Sequence, residues 1–197
     1  MRTERNWLFI ILTASFILTA GCDDKPQQQN QQPPRAEGEQ SMEPAISNLE
    51  PFTVMGISNR MSISEESSAD YAKIWSEFER YNEQLKKIST NGKYYGITFA
   101  TEKQNIIDYV IAMAVPEKAA PLDKKLVVRL IPAAQYAVFD CPVQNIGQTK
   151  QYIITKWLPN APYKITPQAP SFEQYPPEDQ DKLPVRIHIP VTKKPAK

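Results

Sequence analysis

The side chains with distinctive reactivity in this 197-residue sequence are few: two cysteines, Cys22 and Cys141, and one histidine, His188. Groups so far apart offer no Cys/His spacing that would hold a metal, so the reading is that neither a metal nor a cofactor is bound. Cys141 lies in the apolar run Tyr136 to Pro142, where a thiol serves as a small buried hydrophobe; a reactive thiol is the alternative. His188 sits in a strand-like run with no second histidine or nucleophile motif, which fits core or surface better than catalysis. Cys22 differs because of what precedes it.

Arg2 and Arg5 stand against a single Glu4, an uncharged apolar run extends from Trp7 to Ala20, and small residues then lead into Cys22, the order of a secretory signal. The run is about 14 residues, whereas a helix crossing the hydrocarbon core needs roughly 20, so cleavage after residue 21 is expected in place of a permanent span. Leu18-Thr19-Ala20-Gly21-Cys22 resembles the bacterial lipobox. The resemblance implies a lipoprotein: a diacylated Cys22 thiol, an acylated new amine, and palmitate among the chains. With about 0.8 kcal/mol for each buried methylene, two or three chains anchor firmly. An ordinary signal peptide with a chance cysteine is the alternative. Asp23 and Asp24 resemble the signal for retention at the inner membrane, which implies its periplasmic face in a Gram-negative host and plain surface attachment in a host with one membrane.

Removing residues 1–21 takes away two arginines and one glutamate, and the formal net charge of +1 falls to zero. No basic excess remains to hold a polyanion, so nucleic acid is excluded as a partner. Residues 22–50, rich in Gln, Pro and charge, have almost nothing to bury and read as a linker behind the lipidated cysteine. Residues 51–197 suit one compact domain.

Within that domain Phe52 to Met61 reads as a strand. Tyr71, Ile74, Trp75, Phe78, Tyr81, Leu85 and Ile88 recur at steps of three and four, giving an amphipathic helix over Ser67 to Ile88 that Asn91-Gly92 ends. Tyr94 to Ala100 and Ile106 to Val115 read as a hairpin whose second strand, apolar on both faces, belongs in mid-sheet. Leu126 to Ile131 and Gln135 to Cys141 read as another strand pair around Pro132-Ala133-Ala134. Ile146, Ile153, Ile154, Trp157 and Leu158 mark a shorter helix ended by Pro159, and strands follow at Ser171 to Tyr175 and Val185 to Val191. The order strand, helix, strand, strand thus occurs twice, a weak internal duplication in an α+β chain.

The runs IPAAQYAVFDCP, KWLPNAPYKIT, SFEQYPPED and VRIHIPV, with IWSEF, YYGIT and IIDYVIAMAVP before them, resemble the GyrI-like effector-binding domain over roughly residues 50–193. The family includes the ligand-sensing halves of AraC-type and MerR-type regulators. The resemblance implies two βαββ halves related by a pseudo-twofold, antiparallel sheets packed with two main helices, and a central cleft for small molecules, often lipophilic cations. An anchor and linker stand where such regulators carry a helix-turn-helix, so a transcriptional role does not carry over.

A cleft for an organic cation needs aromatic walls and a carboxylate whose charge is compensated only when the ligand arrives. Glu173 is the candidate. On a strand it shares a face with Tyr175, and the two match the family's Phe-Glu-x-Tyr. Trp157 matches its Trp-Leu-Pro, and Tyr109 and Tyr95 would line the opposite wall. Core packing is the competing role for these aromatics and the favoured one for Trp75 and Phe78, and a solvated strand edge is the competing place for Glu173. The expected function is a membrane-tethered module that binds a hydrophobic, cationic small molecule. The alternatives are a hydrolase that uses Glu173 as general acid or base beside Tyr175, and an envelope interaction protein with a vestigial cleft. No feature specifies a protein partner.

Overall fold

The computed structural model describes residues 42–62, 68–180 and 182–195, all within the unit that runs from Ser41 to Lys197. The signal segment, Cys22 and residues 1–41 in general lie outside the described residues. Among the described residues no helix is long and apolar enough to cross a membrane.

The first half of the domain comprises β1 (Ala45–Leu49), β2 (Phe52–Ser62), α1 (Ser68–Ile88), β3 (Tyr94–Ala100) and β4 (Ile106–Val115). The second comprises β5 (Val127–Ile131), β6 (Ala134–Cys141), α2 (Ile146–Tyr152), β7 (Tyr163–Ile165), β8 (Ser171–Tyr175) and β9 (Val185–Lys193). Beyond α2 the helix widens into a π turn, Ile153–Trp157, and ends in a last turn, α3 (Leu158–Asn160). The helix therefore carries on through Pro159, where a stop was expected. A proline has no N–H to give and its ring crowds the preceding turn, and a widened turn just upstream relieves both.

The strand order is β1-β6-β9-β8-β3-β4-β2-β5, with β7 beside β9, and every pairing is antiparallel. The chain is α+β. Each half places its three main strands in the same relation, β2-β4-β3 and β6-β9-β8, and the halves meet where β3 pairs with β8. Strand β4 is buried along nearly its whole length, as its two-sided apolar sequence requires.

Two expectations are corrected. The sheet takes in Ala45–Leu49, which pairs with Val138–Ala134 of β6, so the sheet includes residues upstream of the boundary expected at Pro51. In addition β5 and β6 do not form a hairpin. Phe52↔Ile131 through Gly56↔Val127 pair β5 with β2, while β6 turns away to β9 and β1. The cause is local. A two-residue hairpin needs positive φ in its turn, and proline fixes φ near −65°. Both short links carry one, Glu50-Pro51 and Pro132-Ala133, and neither link contains a positive-φ residue. Each half accordingly sends its first strand across to the edge of the other.

Residues opposite one another in the register share a face. Met55, Ile57, Ile107, Ile111 and Met113 face α1 and pack on Ile74, Phe78 and Leu85. Ala137, Phe139, Cys141 and Ile187 pack on Ile153 and Trp157 of the second helical segment. Through Gly96↔Glu173, Glu173↔Ile187 and Gly96↔Ile111 these two clusters lie on one face of the sheet, with β8 and β3 between them. The reverse face holds Val54, Tyr95, Ile97, Val110, Tyr136 and Phe172.

Candidate functional site

At the seam between the halves, on the helix-covered face, lies Glu173. It is 3 % exposed, which excludes the solvated strand edge. A buried carboxylate needs partners for both oxygens. The Tyr109 hydroxyl donates to Oε2 at 3.2 Å, and the Lys150 ammonium of α2 pairs with Oε1. The expected carboxylate, uncompensated until a ligand comes, is thus corrected: its charge already has a counter-ion within the chain.

Space for this group comes from Gly96, directly opposite on β3. A Cβ there would overlap the Tyr109 hydroxyl and come within 2.6 Å of Glu173 Oε2. Glycine in mid-strand, flanked here by Tyr95 and Ile97, is the sign of such a close approach. Tyr109 and Tyr175 stand next to the carboxylate, and Tyr71 and Trp75 of α1 pack on them. Tyr175 follows on the same face of β8 and meets Trp75 of α1 edge-on at 5.3 Å, and Tyr71 meets Tyr109 edge-on at 4.9 Å. Tyr71, Trp75 and Tyr175 are each only half-buried and reach the surface of the domain. Burial first, then the charge of Glu173, pushes the phenols of Tyr109 and Tyr175 well above their ordinary value, so both remain protonated donors.

Of the residues selected from sequence, the structure brings Glu173, Tyr175 and Tyr109 together. Trp157 instead packs edge-on to Phe139 at 5.1 Å and stacks on Tyr163 at 6.4 Å in the core under the second helical segment. Tyr95 lies on the reverse face, because it pairs with Gln174 and not with Glu173. Its hydroxyl accepts from Asn91 at 2.9 Å and from Gln174 at 3.2 Å. That face carries a cleft of about 750 Å³, whose lining includes Phe52, Tyr95, Phe172, Gln174 and His188. His188 stacks on Phe172 at 4.3 Å, and its Nδ1 donates to the Arg186 carbonyl at 3.3 Å. Burial lowers its pKa to about 4, so it is neutral at pH 7. Cys141 is a free, buried thiol, its pKa raised by burial. Among the described residues no cluster of His, Cys, Asp and Glu could hold a metal ion.

Sequence reasoning missed Lys150 and Gly96, and favoured packing over ligand contact for Trp75. Lys150 had a signal: it falls at the i+4 position between Ile146 and Ile153, on the stripe that faces the sheet.

The family profile of integron-associated effector binding proteins, Cass2, matches residues 45–191. The chain belongs to this family. The Cass2 match begins at β1 and ends within β9, so the whole sheet is included. Solved structures repeat the fold. A putative transcription regulation protein from Staphylococcus aureus MU50 is 19 % identical with a TM-score of 0.59, over 77 % of this chain and 99 % of its own. SAV2435, solved with tetraphenylphosphonium, is 21 % identical with a TM-score of 0.61, over 77 % and 94 %. An integron cassette protein from the mobile metagenome of Vibrio cholerae is 20 % identical with a TM-score of 0.54, over 76 % and 96 %. No curated protein is similar enough to match.

Proposed function

We propose that this domain binds a hydrophobic cation between α1 and α2, with Glu173 as its counter-charge, and that an acylated Cys22 holds the domain at a membrane surface. The observation that carries the first part is a buried carboxylate, set among aromatic rings that reach the surface, in an effector-binding family. Aromatic faces and a desolvated carboxylate are what an organic cation requires. SAV2435, which shares the fold, is bound to such a cation, and this supports the reading. Hydrolysis at this place would need a carboxylate oxygen free to take a proton from water. With Lys150 and Tyr109 on the two oxygens, the arrangement favours binding over turnover.

The test is thermal unfolding of the full-length chain in detergent with tetraphenylphosphonium. A ligand at a hundred times its Kd stabilises a fold by about 2.7 kcal/mol, and the gain should vanish in Glu173→Gln. Stabilisation that survives this substitution would place the cation elsewhere. For the anchor, the short apolar run and the residues before Cys22 support lipidation, and Asp23 with Asp24 supports the periplasmic face of the inner membrane in a Gram-negative host. Metabolic labelling with palmitate should mark the wild type and not Cys22→Ser.

A further inference from the structure

A cation bound by Glu173 meets a position already filled. The Lys150 ammonium sits on one carboxylate oxygen and the Tyr109 hydroxyl on the other, so each oxygen has a partner before any ligand enters. The two halves of the ion pair differ sharply in exposure: the lysine side chain is 38 % exposed and that of the glutamate 4 %. The ammonium therefore reaches in from the surface of α2 on a flexible four-carbon stem, and rotation of that stem alone returns it to water. Glu173 has no such freedom, fixed on a central strand and packed against Gly96.

We propose that Lys150 is a resident counter-cation which an incoming ligand displaces from Glu173, and that this displacement sets both the affinity and the charge selectivity of the site; the inference rests on the cation-binding reading above. A cationic ligand exchanges one positive group for another, and the released ammonium regains its hydration. A neutral aromatic that pushes the lysine out leaves a buried carboxylate unpaired, which is strongly unfavourable, and an anion adds repulsion. The same aromatic walls thus accept a cation and reject a neutral molecule of similar shape. The lysine lowers the affinity for every ligand by the fraction of time it holds the carboxylate.

Equilibrium dialysis of tetraphenylphosphonium against the full-length chain tests this, with Glu173→Gln as the control for uptake into detergent. Lys150→Met should bind about tenfold more tightly than wild type, because the competitor is gone. Lys150→Arg should bind more weakly, because a guanidinium holds a carboxylate through two hydrogen bonds. Binding in the wild type, lost in Glu173→Gln but equal or weaker in Lys150→Met, would overturn the role of Lys150 and leave the cation reading standing. No binding in either the wild type or Lys150→Met overturns both. A second measurement needs no variant. With lysine side chains labelled for NMR, the Lys150 ammonium should be protected from exchange in the empty protein and exchange freely once tetraphenylphosphonium is bound. An ammonium still protected in the complex overturns the inference.

Discussion

Glu173 and His188 are buried on opposite faces of the sheet near the β3–β8 seam, and the two faces handle them in opposite ways. On the helix-covered face Glu173 is held as one member of an ion pair, with a phenol on its second oxygen. On the reverse face His188 has an aromatic stack and one backbone carbonyl, no counter-ion among the described residues, and a pKa lowered to about 4. Burial penalises an unpartnered charge in both places. A group kept charged by a partner on a mobile stem can trade that partner for a ligand, whereas a group that has shed its charge is fixed as a neutral packing element. The proposed recognition site therefore lies on the face with the ion pair, although the reverse face carries a cleft of about 750 Å³.

The largest effect that separates the faces is the response to acid. The imidazole of the unfolded chain titrates near 6.5 and that of the folded chain near 4. Below 6.5 the unfolded state binds a proton that the folded state refuses. The stability due to a neutral His188 is therefore complete above pH 6.5 and is lost as pH falls toward 4, by up to about 3 kcal/mol. Urea unfolding across that window should show the loss, and His188→Phe should flatten it; an unchanged slope would mean that another group carries it.

Next in size is Gly96→Ala, which forces a Cβ against Tyr109 and Glu173 and should reduce stability by about 2 kcal/mol in urea. A smaller loss, below about 0.5 kcal/mol, would mean that the Tyr109–Glu173 pair moves freely and is not a fixed site. On the reverse face Tyr95→Phe strips an acceptor from the Asn91 and Gln174 amides and should lower stability by about 1 kcal/mol. Binding of tetraphenylphosphonium should be unaffected by it. Loss of binding there would break the assignment of recognition to the helix-covered face.

The smallest effect concerns Lys86, which pairs with Glu178 at 2.8 Å and with Glu83 at 3.0 Å and ties the end of α1 to the stretch beyond β8. Tyr94 donates to the same Glu178 at 2.9 Å, and Lys86 is the main cause that lowers the pKa of Glu178 to about 2. Because Glu178 is more than a third exposed, solvent screens the pair, and a double-mutant cycle of Lys86→Met with Glu178→Gln should give only about 0.5 kcal/mol.

How much of this was legible depends on whether a residue's role is set along its own strand or across strands. The extents of α1, β3, β4, β8 and β9 followed from periodicity, and Glu173 with Tyr175 followed from alternation on one strand. Tyr94 and Tyr95 mark where that reading stops. Alternation says that they face opposite ways, and only the register Gly96↔Glu173 says which of them shares the carboxylate's face. Trp157 was misassigned for a related reason: helical spacing shows that it faces the sheet, and not which strand residues wait beneath it. Lys150 was passed over because a lysine on an apolar stripe acquires its meaning from the acid opposite. The exchange of β1 and β5 was hidden since pairing was inferred from nearness in sequence, although the prolines at 51 and 132 already spoke against hairpins.

That exchange has a mechanical consequence. With β1 clasped to β6 and β5 clasped to β2, each half is fastened into the other at its outer edge as well as along the seam. A protease cut in the connection between β4 and β5 would sever the backbone and still leave the pieces interlocked. The two walls around Glu173 cannot swing apart as separate lobes, so access to the carboxylate comes through the motion of side chains, with the frame around it closed like two hooked fingers.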